Sequence, residues 1–145
     1  MANTAGLPTY SAYRIAAMTA LYPTTGVKAA LYLASATRGP TDTAYSATGE
    51  VTAGGGYTAG GATVTTATAP QQSGAVTYWT PSANISWSSL TTGGNVDCIQ
   101  LYDTGQSNRV IGTFTFGATS ITAGTLTLQM PTNDSSNALA RWTWS

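Results

Sequence analysis

From Val27 onward the apolar and polar positions alternate in short runs separated by clusters of Gly, Pro, Ser and Asn. A repeat of two is the signature of a β-strand with one face turned inward. Val27, Ala29, Leu31 and Leu33 fall on one face of a first strand, with Lys28, Ala30 and Tyr32 on the other. Gly49 to Thr52 is a brief second run, and the Thr-rich stretch from Ala62 to Ala69 ends at Pro70. Ala75 to Thr80 sets Val76 and Tyr78 opposite Thr77 and Trp79. After Pro81 come Asn84 to Trp87, then Val96 to Asp103, whose apolar residues occupy both faces and predict a central strand. Val110 to Phe116 places Val110, Gly112, Phe114 and Phe116 together. The clearest alternation is Thr125 to Met130, with Leu126, Leu128 and Met130 facing in. A last strand, Ala138 to Trp144, sets Trp142 and Trp144 on one face and Arg141 and Thr143 on the other.

The first 26 residues read differently. Arg14 to Leu21 is rich in Ala and Met, which favour helix, and Pro8 can open one. Pro23 and Gly26 would end it. The apolar periodicity there is poor, so a short helix and an extended arm both stay open. Eight or nine short strands with no long helical pattern between them imply antiparallel pairing. The expected fold is therefore all-β: an antiparallel two-sheet sandwich of jelly-roll type over residues 27–145, with an N-terminal arm or short helix over residues 1–26.

Composition narrows the function. Only 7% of the 145 residues are charged, against about 25% in an average domain. Five basic and five acidic residues leave a net charge of zero. Nucleic-acid affinity comes mainly from Lys and Arg displacing counterions at phosphates, so that partner is not expected. An anionic membrane surface is disfavoured for the same reason. A neutral surface gives little self-repulsion, which suits an oligomer or an assembly component. Met1 to Thr9 carries neither the basic nor the apolar region of a secretory signal, and no run approaches the ~20 apolar residues of a spanning helix.

The chemistry-bearing residues are sparse. The chain has no histidine, so a Cys–His nucleophile is excluded and Cys98, the only cysteine, forms no intrachain disulfide. Inside a predicted central strand Cys98 reads as a small buried hydrophobe. Asp42, Glu50, Asp97, Asp103 and Asp134 are the only carboxylates. Asp97 and Asp103 flank one strand, roughly 20 Å apart at ~3.3 Å per residue, too far for a glycosidase pair. The glycines from Gly54 to Gly61 lack the Lys-Ser/Thr and the helix of a phosphate loop and are expected to serve as turn residues. Neither catalytic residues nor a metal or cofactor site is expected. Trp79, Trp87, Trp142 and Trp144 suit a core first, then a protein interface, then a sugar platform. Tyr57, within the glycine run, is expected exposed or folded back over its turn.

One ordered series of motifs resembles a known family. It begins at Lys28-Ala29-Ala30-Leu31-Tyr32 and runs through Thr43-Ala44-Tyr45-Ser46-Ala47-Thr48-Gly49-Glu50-Val51 to Gly56-Tyr57-Thr58-Ala59-Gly60-Gly61. Trp87-Ser88-Ser89-Leu90, Ile99-Gln100-Leu101-Tyr102-Asp103 and Phe116-Gly117 follow, then Leu126 to Pro131 and Ala138 to Trp142. Taken together, this series is similar to the capsid cement, decoration and head-fibre proteins of tailed phages, above all to short-tailed-phage cement proteins. The resemblance spans about Val27 to Trp144; Thr4 to Thr25 is longer and richer in Ala than the family's usual start. It implies a jelly-roll protein, a dimer in that family, on the outer surface of a virion capsid with the major capsid protein as partner. A head or tail fibre or a carbohydrate-binding module is the alternative. For a capsid role the candidate contact residues are Tyr10, Tyr13 and Arg14 in the arm, together with Tyr57, Trp79 and Trp87.

Overall fold

A computed structural model of the chain describes residues 11–65 and 68–143. The N-terminal segment contains a helix, α1, over Ser11–Leu21. Among the described residues nine strands follow: β1 (Val27–Leu33), β2 (Ala62–Thr63), β3 (Gln71–Ser73), β4 (Val76–Trp79), β5 (Ile85–Leu90), β6 (Val96–Asp103), β7 (Arg109–Thr119), β8 (Gly124–Leu128) and β9 (Ala140–Thr143). They form three sheets with orders β2-β1-β6-β7, β3-β4-β9 and β5-β8, and every strand pairing is antiparallel. Among the described residues the fold is all-β apart from α1 and one turn of 3-10 helix at Thr104–Gln106.

The two-residue repeat explains where the core sits. Val27, Ala29 and Leu31 on β1 and Ile99 and Leu101 on β6 are fully or almost fully buried, and they share one cluster with Ile85, Trp87 and Leu90 of β5. The main core thus lies against the inner faces of the four-stranded sheet and the β5–β8 pair. Each fully buried Leu or Ile contributes about 1.5–3 kcal/mol relative to exposure. Strand β6 carries buried side chains on both faces because it sits between β1 and β7 and is covered on both sides.

Strand β8 keeps the expected alternation, with Leu126 and Leu128 turned inward and Thr125 and Thr127 exposed. Thr77 and Trp79 are the buried pair of β4, opposite the half-buried Val76 and Tyr78. Gly49 to Thr52 forms no strand, but it lies along β1 through Val51 N–H to Leu31 O (2.9 Å) and Leu33 N–H to Gly49 O (2.9 Å). Of the Thr-rich stretch only Ala62–Thr63 is strand, and residues 66 and 67 lie outside the described residues.

The expectation for Val110 needs correcting. The β6–β7 register shifts between Leu101 and Tyr102, so Gly112 and Phe114 face Leu101 and Ile99 whereas Val110 faces Tyr102. Residues directly opposite share a sheet face, and one extra residue reverses the face. Val110 therefore sits on the outer face, away from Phe114 and Phe116.

The helix lies on its own domain. Ile15, Met18 and Tyr22 recur at helical spacing; Met18 is fully buried and Tyr22 stacks on Trp79 at 5.1 Å. The guanidinium of Arg109 donates to the carbonyls of Ala20 (3.1 Å) and Leu21 (2.9 Å) at the helix C-terminus. A cation there satisfies orphan carbonyls and opposes the negative end of the helix dipole.

Candidate functional site

Alternation along β1 and β6 places Ala30, Tyr32, Cys98, Gln100 and Tyr102 on the outer face of the four-stranded sheet, in register as Tyr32 with Cys98 and Ala30 with Gln100. A strap formed by residues 34–50 covers this face. Tyr32 donates to the carbonyl of Ser46 (2.8 Å), and Tyr45 stacks on Tyr102 with ring centroids 4.5 Å apart. The fully buried Gln100 donates from Nε2 to Asp42 (2.7 Å) and to Thr113 Oγ1 (3.1 Å). Asp42 also accepts from the Gly39 amide (2.9 Å) and pairs with Arg38 at 3.8 Å, while Arg38 lies over the ring of Tyr32.

Glu50 joins the strap to the glycine turn. Its Oε1 accepts from the Tyr57 hydroxyl (2.6 Å) and the Gly60 amide (2.8 Å), and its Oε2 accepts from the Tyr45 hydroxyl (2.6 Å). The Tyr57 oxygen in turn accepts from the Leu31 amide (3.0 Å), and Tyr102 donates to the Gly60 carbonyl (2.6 Å). Burial, followed by the hydrogen bond to the Glu50 carboxylate, pushes the phenols of Tyr45 and Tyr57 far above the usual tyrosine range. Burial, then the Glu50 charge, raises Tyr32 to about 12 and also raises Tyr102.

The glycine turn owes its composition to close packing. A Cβ on Gly61, which has φ +81°, would sit 1.9 Å from the carbonyl oxygen of Ala29, and one on Gly56 would sit 2.5 Å from that of Ser88. Only glycine lets this turn lie directly on β1 and β5. The turn folds Tyr57 back into the core, where it is 4% exposed.

The candidate contact residues separate accordingly. Tyr57, Trp79 and Trp87 are all buried, so none of the three rings is offered to a partner by the folded chain. That burial replaces the interface role expected of them with a packing role: Trp79 is held against α1, and Trp87 and Tyr57 belong to the main core. The indole N–H groups of Trp79 and Trp87 find no acceptor among the described residues. Tyr10 and Trp144 lie outside the described residues, as do the side chains of Tyr13 and Arg14, whose backbone is in α1. Asp97 and Asp103 stand at the two ends of β6. Asp103 is buried, accepts from the Gly105 amide (2.8 Å) and faces Arg109 at 3.8 Å. Cys98 is buried, and desolvation followed by the charges of Asp97 and Asp42 raises its thiol to about 11.

Sequence reasoning missed Glu50 as an organising group. Its alternation with Tyr45 and Tyr57 at five and seven residues gives no periodic signal, and Tyr102 arrives from a distant strand.

The opposite side of the molecule is different in kind. Phe114, Phe116, Leu126, Leu128, Met130 and Leu139 pack on the core yet remain partly exposed. Between the edges of β7 and β8 opens an apolar mouth of about 200 Å³, floored by Leu101 and lined by Phe114, Leu128, Met130 and Leu139. No charged residue occurs in 51–96 or 110–133. A second hollow of about 430 Å³ is lined by Thr68, Thr80, Ser82, Asn84 and Asn133 among others, a set of hydroxyls and carboxamides.

Among the described residues no group of three or more His, Cys, Asp or Glu side chains could hold a metal ion, and no helix is long and apolar enough to cross a membrane. No family model matches the chain, and neither does any curated protein or solved structure.

Proposed function

We propose that this chain is a non-enzymatic structural protein of a tailed-phage virion that docks on the outside of the capsid and braces neighbouring coat subunits, acting as a homo-oligomer. The observation that carries this reading is the side made by β7 past Arg109, β8 and the segment between them, which carries no charge and where large apolar side chains stay half-exposed. A protein that works alone in water rarely leaves such a side open. The ordered motif series from Lys28 to Trp142 supports the capsid as the surface it meets. We read the β2-β1-β6-β7 sheet over the β5–β8 pair as a two-sheet sandwich of jelly-roll type.

The mechanism is thermodynamic and needs no cofactor. A protein that binds the assembled lattice and not its dissociated subunits stabilises the lattice by mass action. Many weak copies then act together. The test is co-sedimentation of the purified protein with shells that lack it, followed by heating. Saturable binding and a higher disruption temperature are expected. Protein that stays in the supernatant at every shell concentration sinks the reading. A chain lacking residues 1–10 tests the contribution of Tyr10 in the same assay, with weaker binding expected.

One observation favours a second reading, a fibre or carbohydrate-binding module: the hydroxyl- and carboxamide-lined hollow at Thr80, Ser82, Asn84 and Asn133. Its lining holds no aromatic ring for a sugar to stack on, so it ranks behind. Binding on a glycan array that disappears with Asn133→Ala would reverse that order.

A further inference from the structure

We infer that the turn between β6 and β7 couples helix α1 to the strap, so that loosening the helix loosens the cover over the outer face of the four-stranded sheet. Two segments far apart in sequence meet at this turn, which runs from Asp103 to Arg109. From the N-terminal side come the carbonyls of Ala20 and Leu21, both held by the Arg109 guanidinium. The Gly26 carbonyl, on the link from α1 to β1, accepts from the Thr104 amide (2.9 Å) and hydroxyl (2.8 Å). From the strap come Thr43, Ala44 and Tyr45. Ala44 bridges Arg109, the Val110 amide donates to Thr43 (3.1 Å), and the Tyr45 amide donates to the Asn108 carbonyl (2.8 Å).

Arg109 therefore serves both segments at once: its side chain holds the helix end, and its backbone borders the strap. The buried Asp103 keeps the guanidinium in place. One of its carboxylate oxygens takes the Gly105 amide (2.8 Å), and the other faces Arg109 at 3.8 Å.

The turn itself is held under tension. Ser107 and Asn108 are consecutive left-handed residues, with φ of +53° and +59°. A side chain makes that region costly, and such residues persist only where their surroundings fix them. Here the fixings are the Asp103 contacts before the pair and the hold of Arg109 on the helix after it. When that hold is released, the turn has a more ordinary backbone to relax into, and the Asn108 carbonyl and Val110 amide move with it. Tied and relaxed turns are the two arrangements that helix and strap both bias.

Tyr45 carries the change to the sheet face, since its ring stacks on Tyr102 and its hydroxyl donates to Glu50. An event at the N-terminal helix is thereby felt above Tyr102. The far end of the strap is tied elsewhere. There the Leu33 amide donates to Gly49 and the Val51 amide to Leu31, contacts with β1 that bypass the turn. Those two amides are the internal control.

Amide hydrogen exchange of the full chain, followed residue by residue by nuclear magnetic resonance, tests the coupling. Thr19 is exposed on the last turn of α1, so Thr19→Pro breaks the helix end without removing a core side chain. Exchange at Tyr45 and Val110 should quicken at least about tenfold while Leu33 and Val51 stay within about twofold of the parent. Thr19→Gly, a gentler lesion, should give the same pattern at about threefold, and it decides the matter if the proline variant does not fold. Arg109→Ala removes the hold itself, so adding Thr19→Pro to it should change Tyr45 and Val110 by less than about twofold. Unchanged exchange at Tyr45 and Val110 in the folded helix variants overturns the coupling. So does equal quickening of all four amides, which is general loss of stability, and so does an undiminished effect of Thr19→Pro in the Arg109→Ala chain. The inference is independent of the capsid reading.

Discussion

The two sides of this molecule are held together by different means. Around the outer face of the four-stranded sheet gather Arg38, Asp42 and Glu50 with Tyr32, Tyr45 and Gln100: Tyr32 and Gln100 bond to the strap, Glu50 ties Tyr45 to the glycine turn, and Arg38 pairs with Asp42 and lies over Tyr32. On the β5–β8 side there is no charge, and cohesion comes from Ile85, Trp87, Leu126 and Leu128 against the core. Three of the chain's few ionised groups fix a loop over a sheet, where Asp42 and Glu50 each accept more than one directed bond. The other side, left to apolar contacts, is the one that stays partly open. Directed polar bonding seals; apolar packing without a cover leaves a surface that can still gain by burial.

The same substitution placed on each side makes the sharpest test. Gly61→Ala forces a methyl into the Ala29 carbonyl at a left-handed backbone position, and is expected to cost about 4 kcal/mol or more, or to prevent folding. Gly117→Ala on β7 meets nothing within 4 Å and should shift stability by less than about 0.5 kcal/mol. Urea unfolding of both variants measures the gap, and equal effects would refute the contrast. Next in size, Glu50→Ala strips acceptors from Tyr45, Tyr57 and Gly60 and should lose about 3 kcal/mol, with proteolysis appearing first within the 34–50 strap.

Burial also raises Tyr22 against Trp79, but alkaline titration bears mainly on the sealed side. Its phenols are raised in the folded state, Tyr32 to about 12, whereas an unfolded phenol loses its proton near 10. Above that value the unfolded chain binds fewer protons, so this stability is complete below pH ~10 and falls as the pH rises through about 12. Circular dichroism and tyrosinate absorbance should change together there; phenols ionising without any loss of structure would contradict it. Smaller than the losses at Gly61 and Glu50 is that expected from Arg109→Ala, which uncaps α1 and removes the cation facing Asp103; it should cost about 1 kcal/mol, read as loss of helical signal before the sheets melt.

Much of the fold was legible because it depends on local alternation. The boundaries of β1 and β6 follow from their apolar positions, and Thr125 to Leu128 shows its inward and outward faces directly. Strand β3 escaped notice since Gln71-Gln72-Ser73 contains no apolar residue and is ordered by pairing with β4. Val110 was misplaced because a bulge depends on how two strands meet, which neither strand records. Tyr57 illustrates the deepest gap. A tyrosine among glycines looks like a loop tip, yet those glycines let the turn approach β1 closely enough to bury the ring. The Glu50 cluster was invisible for a related reason: its partners converge only after the strap, the turn and β6 are in place.

Cys98 turns this architecture into its own clock. A lone thiol held near pKa 11 beneath the strap is almost wholly protonated and shielded at neutral pH, so an added alkylating reagent reacts only when the cover lifts. The labelling rate of the native chain, compared with that after Glu50→Ala, therefore times the opening of residues 34–50 without an introduced probe, and separates it from whole-chain unfolding.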